Sequence, residues 1–445
     1  MKLAWILAAI PLLAWGGDDA AQPAPVPLSL RKAVEVAISP AGNTNVQLAG
    51  EALKQARERS LESRASLLPD LESYATYEDR TTNLVALGLR IQVPAFLGIQ
   101  IPTFVGPFTT FDARVTGTQS VFDFSAIQRW QASKVGLAAA RQDAESTQEQ
   151  VAALVARSYL AAVKADTDVD TAQANVDLSQ ALLKQSQNEK TAGTGTGIEI
   201  TRARVQLAND RQRLLEAQNS RRSAHLRLLR AMGVRLDTEL ELTDRMAYVP
   251  VDPVTLEGAR SQALSTRPDL KAQREREANA RLSASATKME RLPSVQAFGD
   301  YGSLGTGLES SMPTRTYGIS LRVPLFDGGR RDARREEAAS QYRAEQVRTN
   351  DLKQQIELDV RLALDALQSA DDEVKVARDG LDLSQNELAQ ARRRYDAGVA
   401  TSVEVTDAQT RLERARDNQT TAVYNYNVAK IDLEQAMGKV RASVK

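Results

Sequence analysis

The stretch SLRVPLFDGGRRDARREEAASQY, residues 320–342, changes character within a few residues. Leading into it, Tyr317, Ile319, Leu321, Val323 and Leu325 alternate with Thr316, Gly318, Ser320 and Arg322, the period of a half-buried strand. Asp327-Gly328-Gly329 intervenes, and a charged, alanine-rich run of helical composition follows. The segment VTGTQSVFDFSAIQRWQASKVGLAAAR, residues 115–141, makes the same swing from strand to helix. Val121-Phe122-Asp123 overlies Leu325-Phe326-Asp327 at an offset of 204. Whatever the fold, it uses this swivel twice.

The self-similarity extends along the chain. Residues 191–233, TAGTGTGIEITRARVQLANDRQRLLEAQNSRRSAHLRLLRAMG, align without gaps on 396–438 at an offset of 205. Ala192-Gly193, Glu199, Thr201, Ala203, Leu207, Arg211 and Ala231-Met232-Gly233 recur identically. LSLRKAVEVAIS (28–39) pairs with VTLEGARSQALS (254–265), and LLPDLESYATY (67–77) with RLPSVQAFGDY (291–301). The sequence therefore reads as two copies of one unit, 23–240 and 241–445.

Each unit predicts a helix of about 35 residues running to Pro69 or Pro293, then two strands. The second strand covers 111–122 or 316–326. An unbroken helix follows over 126–189 or 330–394, roughly 100 Å long at the α-helical rise. A Gly/Thr turn and a return helix of about 36 residues complete the unit. Val151, Leu154, Val155, Tyr159 and Val163, and in the second unit Leu352, Ile356, Val360, Ala363 and Leu367, are spaced for packing on neighbouring helices.

Composition narrows the chemistry. Lys+Arg and Asp+Glu balance at 57 each, so no global field draws the chain to nucleic acid. Cysteine is absent, which excludes thiol catalysis and disulfides, and the single histidine, His225, sits in a helical run as a helix-surface or packing residue. No catalytic residue, cofactor or metal site is expected: the chain carries no G-x-S-x-G or H-E-x-x-H, and GTGTG (193–197) follows a helix rather than a strand. Lys2 and the apolar run Leu3–Trp15 read as an export signal, with residues 1–22 as signal and linker. No later apolar run reaches the length of a membrane-spanning helix.

The strands pose a closure problem. Phe111, Ala113, Val115, Gly117 and Val121 alternate with Asp112, Arg114, Thr116, Thr118 and Ser120, apolar on one side and polar on the other, as in a membrane barrel. Four strands cannot close a barrel, and an open sheet edge is not tolerated in lipid. Three copies would supply twelve strands. Pro69, Pro293 and Pro324 then mark three strand–helix junctions and Ser120 the fourth, Asp327 caps the outgoing helix, and Gly328 permits the turn.

The tandem repeat, VPLFDGG, the turn segments AGTGTGIEITRARVQ and YDAGVATSVEVTDAQTRLERA, and the closing YNYNVAKIDLEQAMG together resemble the outer-membrane efflux protein family of the TolC type. The resemblance covers essentially the whole mature chain. It implies a mixed, mostly α membrane protein: a homotrimer with a twelve-stranded barrel in outer-membrane lipid, four strands per chain, continued by a periplasmic α-helical barrel. Such a protein is an exit duct for efflux or type I secretion. Its partners are a periplasmic adaptor and an inner-membrane transporter.

The resemblance also assigns sites. Glu404 and Asp407 fall on the acidic positions that narrow the periplasmic aperture, Tyr395 matches an aromatic residue of closure, and Glu199 matches its acidic partner. Ala400 stands where some members carry a closing arginine, and Arg202 is a substitute cation. The turns Ala192-Gly193-Thr194 and Ala397-Gly398-Val399 match the adaptor-docking tips. Read from the residues alone, Glu199, Glu404 and Asp407 fit a solvated first helical turn equally well. The apolar segment 83–108 has no counterpart in the second unit. The competing reading is a periplasmic helical scaffold or adaptor without a barrel.

Overall fold

The computed structural model describes residues 26–88, 103–252 and 254–443. The expected export signal and residues 89–102 of the apolar segment lie outside them. The first half contains β1 (Val26–Leu28), α1 (Leu30–Ile38), α2 (Thr44–Ala65), β2 (Asp70–Asn83), β3 (Phe104–Phe122), α3 (Phe124–Thr191) and α4 (Gly197–Met232). After β4 (Leu240–Leu242) come α5 (Leu256–Thr266), α6 (Pro268–Met289), β5 (Ser294–Gly305), β6 (Met312–Arg322), α7 (Arg330–Asp396), α8 (Ser402–Ala436) and α9 (Val440–Ser443).

The two long helices contain 68 and 67 residues, and neither holds a proline. Along its length α3 is flanked by α2 and α6 at the sheet end and by α4 and α8 at the far end. Val151, Val155, Tyr159 and Val163 are buried as their spacing predicts, in a core shared with α1, α4 and β1. Leu154 is the exception and stays 44% exposed. Ile356, Val360 and Ala363 of α7 form a second core with α5 and the end of α8.

The single helix expected before each strand pair is instead two helices. Between α1 and α2 the chain breaks at Pro40–Asn43, where Gly42 lies against the carbonyls of Val36 and Ala37 too closely for any Cβ. Asn43 caps α2 by accepting from Asn45 N at 2.8 Å and donates to the Ala231 carbonyl at 2.7 Å. Between α5 and α6 the break falls at Arg267-Pro268, proline taking the first helical turn, where its missing N–H has no partner to lose. These breaks explain the repeated Ala-Met-Gly. Gly233 and Gly438 end α4 and α8 region with φ of 75° and 68°, and each lies against the break of its own half, at Gly42 and Arg267.

The four longer strands form one antiparallel sheet in the order β2-β3-β5-β6. Cross-strand partners share a face. Val115 pairs with Ser73 and Tyr301, Ala113 with Ala75, Phe111 with Tyr77, and Tyr317 and Ile319 with Gly299 and Ala297. One face is thus Leu71, Tyr77, Phe111, Val115, Tyr301, Tyr317 and Ile319, and no helix covers it: Tyr317 is 79% exposed and Ile319 75%. The other face carries Glu72, Asp112, Thr116, Asp300 and Thr316, with Arg114 paired to Asp112 at 2.8 Å and to Asp300 at 3.2 Å. Tyr74, Phe298, Leu304 and Met312 are apolar side chains on that face. β2 and β6 have no strand beyond them among the described residues.

The junctions differ in detail from expectation. Pro69 and Pro293 immediately precede β2 and β5, as the sequence predicts. Ser120, however, lies inside β3 at a register shift, and the fourth junction is Asp123, which caps α3 by accepting from Ala126 N at 3.0 Å. β6 ends at Arg322 rather than Phe326, because the chain reaches Pro324, which has no N–H to continue a ladder. Leu325 and Phe326 are left almost wholly exposed. The N-cap position of α7 is Gly329, not Asp327. Gly328 and Gly329 both take positive φ, and Asp327 reaches over them to accept from Arg331 N at 3.1 Å.

Candidate functional site at the helix tips

At the end farthest from the sheet, each long helix turns into its return helix through the same hydrogen-bond pattern. After Ala192, Gly193 donates to the Lys190 carbonyl and Thr194 to that of Glu189. After Ala397, Gly398 donates to the Tyr395 carbonyl and Val399 to that of Arg394. This crossing of bonds is a Schellman closure, and it requires the left-handed φ of 80° and 74° that the glycines adopt. Each glycine has open space around its missing Cβ, so the demand is conformational, not steric. Ala192, Thr194 and Val399 are exposed, with Ala397, at the very tips.

The acidic residues expected at the gate occupy the first turns of the return helices but do different things. Glu199 closes a capping box: its Oε2 accepts from Thr196 N at 2.8 Å. That backbone N–H holds its carboxyl below the usual range, aided by the Thr196 and Ser402 hydroxyls and by Arg202. Glu404 turns to Arg394, with Nε and Oε1 3.4 Å apart. Asp407, one turn on, is exposed and pairs with no cation among the described residues. Arg202 is exposed on α4 beside Glu199. It does not reach Asp407 within the chain. The position of Ala400 contributes no charge, and Arg394 supplies the cation that Glu404 meets.

Tyr395 has a different partner from the one expected. Its hydroxyl donates to Oε2 of Glu189 at 2.7 Å. Glu199 is held by its own helix N-terminus and by Ser402 of α8, whereas Glu189 projects from the last turn of α3 toward α7. Sequence comparison of the two halves pairs first turns with first turns, so it points past Glu189. Behind this bond lies a cleft of about 270 Å³ between the two hairpins, lined by Gln185, Glu199, Arg202, Arg392, Tyr395 and Ser402. Leu178, Leu182 and Val405 give it an apolar wall. No group of three or more His, Cys, Asp or Glu among the described residues is placed to hold a metal ion. None of their helices is long and apolar enough to cross a membrane.

The Tyr395–Glu189 bond and the shared cleft hold the two helix hairpins together at their tips. The chain is 25% identical over 336 residues to the pyoverdine export outer membrane protein OpmQ of Pseudomonas putida, spanning 74% of this chain and 71% of that one. It is 24% identical over 319 residues to the alkaline protease secretion protein AprF of Pseudomonas aeruginosa, spanning 70% and 66%. In fold it matches the Campylobacter jejuni CmeC outer membrane channel with a TM-score of 0.79 at 18% identity, over 92% of this chain and 85% of that one. The sequence pattern of the outer membrane efflux proteins matches residues 40–234 and 259–439, most of both halves. A chain with this sequence pattern, a bare apolar sheet and paired helix tips belongs to the outer membrane efflux protein family.

Proposed function

We propose that three copies of this outer-membrane exit duct close a twelve-stranded barrel in lipid and a helical barrel beneath it. The observation that carries the reading is the sheet. It has two unpaired edges and an uncovered face of Leu71, Tyr77, Tyr301, Tyr317 and Ile319. In hydrocarbon each unsatisfied backbone group costs several kcal/mol, so edge β6 of one copy joins edge β2 of the next. Eleven residues of β6, tilted about 40°, span roughly 28 Å, the height of a lipid-facing apolar band. The polar face, with Arg114 between Asp112 and Asp300, then lines a watery lumen.

The two halves, 23–240 and 241–445, are copies of one unit, a reading supported by their common order of a short strand, two helices, two longer strands, a long helix and a return helix. The tips Ala192-Gly193-Thr194 and Ala397-Gly398-Val399 dock a periplasmic adaptor, which connects the duct to an inner-membrane transporter. Glu404 and Asp407, three residues apart in each copy, form acidic rings at the aperture, and Tyr395 with Glu189 holds it shut. Cargo is chosen by the transporter.

Planar-bilayer recording of the purified protein beside Glu404→Ala/Asp407→Ala tests the reading, with the mass of the detergent complex measured in parallel. Three copies per particle and cation-selective steps, less selective in the variant, support it. Folded single copies that never insert would instead favour the scaffold without a barrel.

A further inference from the structure

Eight to twelve residues into α8 from Thr401, roughly 12–18 Å from the tip, α3, α4 and α8 meet over polar side chains that are buried. Asp210 of α4 is 1% exposed and Glu413 of α8 is 4% exposed. Arg213 of α4 reaches both, 2.7 Å from Glu413 Oε2 and 3.5 Å from Asp210 Oδ1. Ser179 of α3 donates to Asp210, and Gln206 donates to both its oxygens at 3.1 and 3.2 Å. Gln409 of α8 donates to Glu413 at 3.3 Å and approaches the Ser179 hydroxyl at 3.4 Å. This layer is a buried polar tie between the first hairpin and the return helix of the second, in addition to the bonds from Arg157 of α3 to Asp432 and Gln435 of α8.

Its charges do not balance. The adjoining cavity brings in Asp168 and Lys164 of α3, paired at 2.8 Å, and Asp417 of α8. Four carboxylates therefore face two cations, Lys164 and Arg213. Among the described residues α7 contributes no side chain to that cavity. Arg213 is itself half exposed, so water weakens its hold on two buried carboxylates. Gln409 Oε1 and Asn175 Oδ1 are buried with no donor, so the layer is short of hydrogens as well as of positive charge. A proton supplies both.

We infer that Asp210, Arg213 and Glu413 form a proton-controlled clasp between the α3–α4 hairpin and α8, closed when Glu413 is protonated and loosened when it is ionised. Burial, and then Asp210, push the Glu413 carboxyl above its usual range, while Arg213 and Gln409 pull less strongly the other way. Burial and Asp168 raise Asp417 in the same direction, against Lys164 and Arg213. When the hairpins part, Glu413 regains water and its ordinary affinity. The contact is thus at full strength below the ordinary carboxylate range of about 4. It weakens as pH climbs through the raised value of the closed state. The clasp stands on its own contacts, and its consequence, an aperture that tightens in acid, rests on the duct reading.

The chain has no cysteine, so spin labels can be placed at Asn209→Cys on α4 and Asn418→Cys on α8, both exposed. Double electron–electron resonance across pH 5–8 should show the α4–α8 spacing widening with pH. Glu413→Gln should hold the acid spacing throughout, and Arg213→Met should widen the spacing at neutral pH and be restored by acid. A spacing indifferent to pH in the unsubstituted background, or a response that survives Glu413→Gln, would overturn the clasp. Bilayer conductance on the same material separates the two readings. A conducting protein whose hairpins ignore pH overturns the clasp alone, and a pH-dependent spacing without conductance supports the clasp while the duct fails.

Discussion

The Tyr395 hydroxyl sits 2.7 Å from the Glu189 carboxylate, fastening the last turn of α7 to the last turn of α3. The two long helices are therefore tied to each other at their tips. A hydrogen bond to a charged acceptor contributes about 1.5–3 kcal/mol when buried and nearer 1 kcal/mol at a partly exposed site such as this one. Tyr395→Phe should raise the open fraction in bilayer recordings about fivefold, and Glu189→Gln should do so less. Conductance unchanged by either substitution would detach this bond from closure.

Gly193 and Gly398 carry a conformational demand that alanine cannot meet cheaply. Left-handed φ costs a side chain with a Cβ about 1 kcal/mol or more, and asparagine tolerates it better. Gly193→Ala and Gly398→Ala should each lower the thermal midpoint, and Gly193→Asn should leave it nearly unchanged. If the tips dock an adaptor, bulky Gly193→Asn also weakens site-specific crosslinking to it, in a protein that melts normally.

Glu199 stabilises the start of α4 through its ionised form. Its carboxyl is held low, chiefly by the Thr196 N–H. The contribution is present above the ordinary glutamate value and is lost as pH falls through the lowered one. Glu199→Ala should cost about 1 kcal/mol at neutral pH and little in strong acid. Hydrogen exchange over 197–203 reads this directly: faster exchange in the variant at pH 7, converging with the parent as acid is added.

Gly302, inside β5, has no room for a side chain, whereas Gly307, in the loop between β5 and β6, does. A Cβ at Gly302 would fall on Arg114 and the Ala113 carbonyl, whereas one at Gly307 meets only the Ser310 hydroxyl at 3.9 Å. Gly302→Val should abolish membrane insertion and Gly307→Val should not. Heat-modifiable gel mobility of the membrane fraction distinguishes the two.

Much of this architecture was legible in residues 320–342 and their counterpart. The long helices ended within two residues of expectation, since no proline interrupts them and a glycine turn follows each at its C-terminal end. The breaks at Pro40–Asn43 and Arg267-Pro268 were also written in the chain, but a 3.6-residue pattern on either side hides a change of axis. Glu189 is not legible as the partner of Tyr395, because the two lie 206 residues apart and meet only where the tips of α3 and α7 come together. Asp210 and Glu413 were the least legible. Charges on a long helix read as solvated, and only the packing of α4 and α8 across α3 takes these two out of water.

The bare edges of β2 and β6 have a consequence for how the duct comes into being. One copy presents two open edges, and two copies joined still present two. No intermediate stoichiometry relieves the penalty that lipid imposes on unsatisfied strands. Insertion of the proposed trimer is therefore all-or-none in copy number, and its yield should rise steeply with the supply of exported chains rather than in proportion to it.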